Sequence, residues 1–477
     1  QKKLNEEELI DFRSRFDIPL TDEECIKAPF YKPPEDSDEI KYIKAQREKL
    51  GGSIPKRLSE ETPLNIPKLS IFDELLQGSN DREISTTMAF VRLLTLLTKD
   101  KEIGKQVVPI IPDEARTFGI DPLFRQLGIY SHVGQKYIPV DSEQFLFYRE
   151  ATSGQILEEG ISEAGAVSSF IAAGMSYSTH CINMIPFFIY YSMFGFQRIG
   201  DFMWAAGDMR VKGFLIGGTA GKTTLAGEGL QHQDGHSHLI ASTIPNLKAY
   251  DPAFSYEIAV IIHDGLKRMY IDNEDIFYYL TVENENYIHP EIPKNINEGI
   301  LKGMYLLKKS KDSDCKVQLL ASGAILNEAV EASKLLNDDW NINADVWSVT
   351  SYSELYKEAE DVQRWNNLNP EQDNRESYLD ISLDNSCPVI AASDYVKLVS
   401  EQIAAYVKPY FTALGTDGFG RSDTRERLRD FFEINRYYIA IAAINSLVKT
   451  NKIEKGTLSE AIKKYNIDTN KENPLKV

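Results

Sequence analysis

Apolar and polar positions along the chain fall into blocks whose period changes from one block to the next. Four continuous apolar runs, VVPII (107–111), MIPFFIYY (184–191), GFLIGG (213–218) and IFYYLTV (276–282), have strand length and end in turn-forming or polar residues. Unbroken runs of this kind suit strands buried on both faces, as in a parallel sheet. Helical patterns separate them. STTMAFVRLLTLL (85–97) opens on Ser/Thr capping candidates. EEGISEAGAVSSFIAAGM (158–175) is built of small helix formers, and YSMFGFQRIGDFMWAAGDMR (191–210) carries aromatics at Phe194, Phe202 and Trp204. SHLIAS (237–242) leads into YDPAFSYEIAVIIHDGLKRMY (250–270), where Phe254, Ile258, Ile261, Ile262 and Leu266 recur at helical spacing. Strands alternating with helices predict βαβ units and a mostly parallel sheet.

After the polar stretch NENYIHPEIPKN (284–295) the alternation restarts. VQLLAS (317–322), ADVWSVTS (344–351) and PVIAAS (388–393) read as strands, with helices expected at ILNEAVEASKLL and near 352–365, 394–406 and 436–449. Residues 366–386 read as a loop excursion. The expected organisation is an N-terminal segment over 1–66, an α/β domain over 67–293 and a second α/β domain over 294–477. The first segment is charged and proline-studded, and predicts a helix or two joined by extended linker, wrapping over another surface.

Composition narrows the function classes. A net charge of -18 argues against nucleic acid as a partner, since phosphate binding wants a basic face. Four cysteines lie far apart with no metal spacing, which favours a reducing, cytoplasmic setting. No apolar run approaches the roughly 20 residues of a membrane helix, so no membrane partner is expected. The chain opens on Gln1 with a polar stretch unlike a signal peptide, and is expected to be a piece of something longer.

The most distinctive stretch is Gly213–His238, GFLIGGTAGKTTLAGEGLQHQDGHSH, an apolar strand running into a glycine-rich loop with Glu228, His232, Asp234, His236 and His238. Gly217–Thr224 looks like a nucleotide-binding loop, but Ile216 stands where the first glycine of a P-loop belongs, so the spacing fails by one residue. His236 and His238 flank one residue, yet no complete metal-ligand set surrounds them. An acid–base cluster and loop-bracing histidines remain open. Asp113 and Glu114 follow the VVPII strand; they read either as strand-end site residues or as a helix N-terminus. Glu163 is a lone carboxylate among small residues, either buried with a raised pKa or an exposed helix start. Tyr191 and Phe194 are compatible with plain core.

The motifs DEARTFG (113–119), ISEAGA (161–166), YYSMFGFQRIGD (190–201), Gly213–His238, YDPAFSYEIAVIIHDGL (250–266) and LGTDGFGRSDTRE (414–426) together resemble the C-terminal part of the homodimeric-type pyruvate dehydrogenase E1 family. Those enzymes use thiamine diphosphate and are related to transketolase. The resemblance implies a transketolase-like pyrimidine-binding α/β domain with a parallel sheet, followed by a C-terminal α/β domain. It implies oxidative decarboxylation of pyruvate with acetyl transfer to the lipoyl group of an E2 acyltransferase. Glu163 matches the glutamate that hydrogen-bonds N1′ of the aminopyrimidine. Phe194 matches the aromatic that stacks on that ring, with Tyr191 beside it. His232 matches a histidine at the reactive end, Asp113 and Glu114 an acidic pair beside it, and Glu228 a residue orienting the loop. The family holds its Mg²⁺ and diphosphate with a Gly-Asp-Gly motif followed by an asparagine. None occurs here, and Gly415-Thr416-Asp417-Gly418 with Asn445 reads as a decoy. The diphosphate domain is therefore expected before Gln1, with the active sites completed across a homodimer. A related 2-oxo acid or transketolase-type enzyme, and a non-catalytic scaffold that kept the fold, are the alternatives.

Overall fold

A computed structural model of the chain describes residues 4–53, 63–112, 115–139, 148–313 and 315–477. The chain divides into two compact units, residues 1–58 and 59–477. The first carries three helices, Glu6–Arg15 (α1), Asp22–Ile26 (α2) and Asp38–Lys49 (α3). Asn5 and Thr21 cap α1 and α2 reciprocally with Glu8 and Glu24, and Ser37 caps α3. These caps satisfy amides that a helix start leaves without partners.

In the second unit the apolar runs pair into a six-stranded sheet. Its strands are Val107–Ile111 (β1), Leu157–Glu158 (β2), Ile185–Tyr191 (β3), Phe214–Gly218 (β4), Leu247–Tyr250 (β5) and Phe277–Thr281 (β6), in the order β2-β1-β3-β4-β6-β5. Every pairing is parallel. Six of the seven β3 residues are buried, as continuous apolar sequence between two helical layers requires. Phe187 of β3 stacks on Phe214 of β4 at 4.8 Å between ring centroids. Thr86–Lys99 (α4) starts where expected, with Ser85 as its N-cap. Glu163–Gly174 (α5), Phe196–Asp208 (α6), the short Ser237–Ala241 (α7) and Ser255–Tyr270 (α8) follow.

The second sheet comprises Met304–Lys308 (β7), Lys316–Ala321 (β8), Asn343–Val349 (β9), Val389–Ala392 (β10) and Phe411–Leu414 (β11), in the order β7-β9-β8-β10-β11. Only the edge strand β7 is antiparallel among these pairings. Four strands of the two sheets escape the sequence pattern, the first being Leu157–Glu158 (β2), whose Glu158 falls in a stretch expected to be helical. LKAY (β5) is short with a lysine inside it, MYLLK (β7) continues a helical-looking run, and FTAL (β11) is only half-buried. The helix expected near 394–406 shrinks to Lys397–Glu401. Beyond it Ala404 N and Tyr406 N bond the carbonyls of Glu401 and Ile403, three residues back, so the backbone winds into turns.

The carboxyl ends of the two sheets face one another. Asp251 N, just past β5, donates to Thr350 O, just past β9, at 2.7 Å. Ala324 N donates to Glu283 Oε2, just past β6, at 2.7 Å. Parallel strands deliver their following loops to one edge, and two such edges meeting place those loops in one layer.

Candidate active site

The loops after β3 and β4 build the site. Tyr191 ends β3, and the chain bends through a turn at Ser192–Phe194 before α6 begins. Gly195 makes that bend possible, because a Cβ there would strike the Tyr190 ring. The Tyr191 and Phe194 rings lie 5.6 Å apart, and the His232 imidazole packs on both, at 5.1 and 5.3 Å between centroids. Tyr191 is held from behind by Phe118, 5.3 Å away, and its hydroxyl donates to Thr117 Oγ1 at 3.2 Å. A pair that sequence alone allows as core is thus a half-covered aromatic wall with a histidine on it.

Glu163 is the first residue of α5, behind the Ser162 cap, and its side chain is 11% exposed. It is a helix-start glutamate and nearly covered at once. Its surround is not purely apolar: Arg198, in the first turn of α6, donates from Nη1 to Glu163 Oε1 at 3.2 Å. The same guanidinium lies 3.9 Å over the Phe194 ring centroid, a cation–π contact. Arg198 therefore joins Glu163 to the aromatic wall. Arg198 lies four residues after Phe194, across the bend at Gly195 that turns its guanidinium back over the ring.

His232 Nδ1 is 3.2 Å from Glu228 Oε2, but the two are not aligned as a hydrogen bond, and Nδ1 has no other partner. The buried Nδ1 thus faces the Glu228 carboxylate, which is placed to set the orientation of the ring against the two aromatics. Asp113 and Glu114 lie outside the described residues, so the structure gives no account of them.

His238 and the backbone of His236 serve the fold. His238 is buried, and burial lowers its pKa. Its Nε2 lies 2.9 Å from Thr281 Oγ1, whose proton goes to Asp251 Oδ1 at 2.6 Å; this makes Nε2 the protonated nitrogen. His236 caps α7 through its backbone, and Asp234 accepts from the amides of His236 and Ser237 at 3.0 Å each. Among the described residues, no group of three or more His, Cys, Asp or Glu is placed to hold a metal ion.

The Gly-Lys-Thr-Thr segment also has its partners within the chain. Lys222 Nζ donates to the carbonyls of Thr416 and Gly418, at 2.6 and 2.7 Å. Thr223 and Thr224 both bond Asp394. The apparent nucleotide loop and the apparent Gly-Asp-Gly string are two sides of one contact between the sheets. Neither could be paired from sequence, since Lys222 and Thr416 are 194 residues apart.

Comparison with known proteins places this architecture. Residues 64–290 match the pyruvate dehydrogenase E1 component middle domain, and residues 303–435 the transketolase-like C-terminal domain. The pyruvate dehydrogenase E1 component of Pseudomonas aeruginosa is 57% identical over 477 residues, covering 99% of this chain and 54% of the relative. That of Escherichia coli K12 is 51% identical over 476 residues, covering 99% and 53%. The chain thus spans about half the length of the relatives it matches. Among solved structures, a transketolase from Campylobacter jejuni aligns with a TM-score of 0.61 at 17% identity, covering 92% of this chain and 59% of its own. One from Pichia stipitis aligns at 0.63 and 15% identity, covering 94% and 59%. These two show a shared fold.

Proposed function

Because the chain belongs to the pyruvate dehydrogenase E1 component family, we propose that it supplies the pyrimidine-binding half of a thiamine-diphosphate site. The reaction proposed is oxidative decarboxylation of pyruvate, with the acetyl group passed to a lipoyl-bearing E2 partner. The observation that carries this reading is the convergence of Glu163, Phe194 and His232 through Arg198 and Tyr191.

The side chains present fit one end of the cofactor. A flat aminopyrimidine needs an aromatic face and a carboxylate for a ring nitrogen, and Phe194 with Tyr191 offers the first while Glu163 offers the second. His232, packed on both rings, supplies a proton carrier at the other side of the wall. Bound there, the cofactor would contribute the nucleophilic carbon and the electron sink that decarboxylation of a 2-oxo acid requires. The chain's own residues then have separate tasks. Glu163 holds a proton at the ring nitrogen, and exchanging Arg198 for that nitrogen changes its partner without moving the helix. Phe194 and Tyr191 orient the ring and keep water from its face. His232 gives or takes a proton at the substrate, and Glu228 keeps the imidazole turned toward the wall.

The remaining parts of the proposal concern the whole protein. The diphosphate and its Mg²⁺ are assigned to residues in the half of the relatives that this chain does not span. The functional assembly is a cytoplasmic homodimer with sites completed between subunits. No described helix is long and apolar enough to cross a membrane.

The test uses the full-length protein. With thiamine diphosphate and Mg²⁺ it is expected to release CO₂ from pyruvate and, given a lipoyl acceptor, to acetylate it. Absence of cofactor-dependent CO₂ release would refute the reading.

A further inference from the structure

Asp394 sits just past β10 in the second sheet and is buried. Its two oxygens take four donors from two consecutive residues of the first. Thr223 N and Oγ1 reach Oδ1 at 2.8 and 2.7 Å, and Thr224 N and Oγ1 reach Oδ2 at 2.8 and 2.7 Å. Amides and hydroxyls in this arrangement make an anion cradle, and here the anion is a carboxylate of the same chain. Burial raises the pKa of Asp394, and the donors of Thr223 and Thr224 act against that by favouring the ionised carboxylate. Gly221 allows the approach: its φ is +82°, and a Cβ there would collide with Asp394 Oδ2.

Further ties follow on both sides. Lys222 Nζ crosses to Thr416 and Gly418, and Arg425 Nε donates to Thr224 O at 2.7 Å. Gly227 N donates to Asp423 O at 3.0 Å. Arg421 N donates to Gln233 Oε1 at 2.7 Å, and Gln233 Nε2 closes on Leu225 O at 2.8 Å. Glu228 and His232 lie on the short arc between these fixed points. The second domain thereby determines where that arc stands against Tyr191 and Phe194.

We propose that Asp394, through Thr223 and Thr224, is a positioning residue for His232 and Glu228. The second domain acts as the clamp that holds the proton-carrying loop at the aromatic wall. This rests on the reaction proposed above for its kinetic consequence, and on hydrogen bonding alone for its structural one. Charge-assisted bonds to a buried carboxylate are among the stronger ones, and an amide in its place leaves one threonine N–H facing an NH2 group instead of an acceptor.

The test compares the full-length protein with Asp394→Asn, which keeps the side-chain shape and removes the charge. Hydrogen exchange at amides 223–236 is expected to rise about tenfold or more, while amides of β4 and Arg436–Lys449 stay as in the parent. Turnover of pyruvate is expected to fall about tenfold with its KM within about twofold, as loss of positioning without loss of binding requires. Thr223→Val with Thr224→Val, which keeps both amides and removes both hydroxyls, should do the same. Serine at both positions restores the hydroxyls and should restore exchange and turnover. Unchanged loop exchange in Asp394→Asn, or an equal rise over the whole molecule, overturns the clamp. If Asp394→Asn does not fold, the valine pair is read in its place. Failure of that pair to fold also overturns the proposal, because the contact would then be needed by the fold and not by the loop. A parent that does not turn over pyruvate refutes the reaction while leaving the exchange comparison to decide the clamp.

Discussion

Arg198 bridges the site by two contacts of different kinds: it donates to Glu163 at 3.2 Å and lies 3.9 Å over the Phe194 ring. Half of its side chain is exposed, so water competes for the ion pair, and such pairs contribute at most about 1 kcal/mol. Arg198→Gln is therefore expected to shift the thermal midpoint by less than about 2 °C in a unit of this size. A calorimetric scan checks this. A fall above about 6 °C would mean that the contact supports the fold and not the site.

His289 gives the molecule an acid limit. Its Nδ1 accepts from Ser255 N, at the start of α8, at 2.9 Å, and its ring stacks on Tyr287 at 4.8 Å. Burial is the main cause that lowers its pKa from 6.5 to about 4. The folded state thus refuses a proton that the unfolded state accepts. Stability is full above pH 6.5 and falls between pH 6.5 and about 4, by about 3 kcal/mol over the window. Denaturant midpoints at pH 7 and 5 should differ for the parent, and His289→Gln should reduce the difference. An equal pH dependence in the variant contradicts the assignment.

Gly221→Ala tests the geometry of the Gly-Lys-Thr-Thr segment without touching a charge. The added methyl meets a left-handed φ and the Asp394 carboxylate together. Backbone strain of this kind costs about 1–3 kcal/mol. The variant is expected to lose stability by that order and to show faster exchange at the following amides. A denaturation curve that superimposes on the parent would show that the carboxylate is not seated there.

The sequence makes the architecture readable where burial is two-sided. VVPII and MIPFFIYY announce parallel strands because both faces need apolar side chains, and Ser85 marks a helix start through its hydroxyl. Edge strands such as Met304–Lys308 and Phe411–Leu414 need less apolar content, and their pattern merges into neighbouring elements. For the site, Glu163 and the histidine loop stand out among the residues, but specific roles for Glu163, Tyr191, Phe194 and His232 come only through resemblance to a family. Taken singly, each fits a bland role as well. Arg198 stayed hidden because Glu163 lies 35 residues before it, and Asp394 because Thr223 lies 171 residues before it; no local pattern encodes either contact. The Gly-Lys-Thr-Thr segment shows the hazard most clearly. Its donors do bind an anion, but one that the chain itself provides.

Glu163 is the residue we propose to serve chemistry at the aromatic wall. Glu163→Gln keeps the shape and the helix start but not the charge, and its ion pair with a half-exposed arginine adds little to the fold. The direct measurement is CO₂ release from pyruvate by full-length parent and variant, with circular dichroism melting on the same samples. Release is expected to fall by at least about 100-fold, a barrier increase of about 2.7 kcal/mol, with melting curves that coincide within about 2 °C. Release near the parent level by the folded variant would contradict that role.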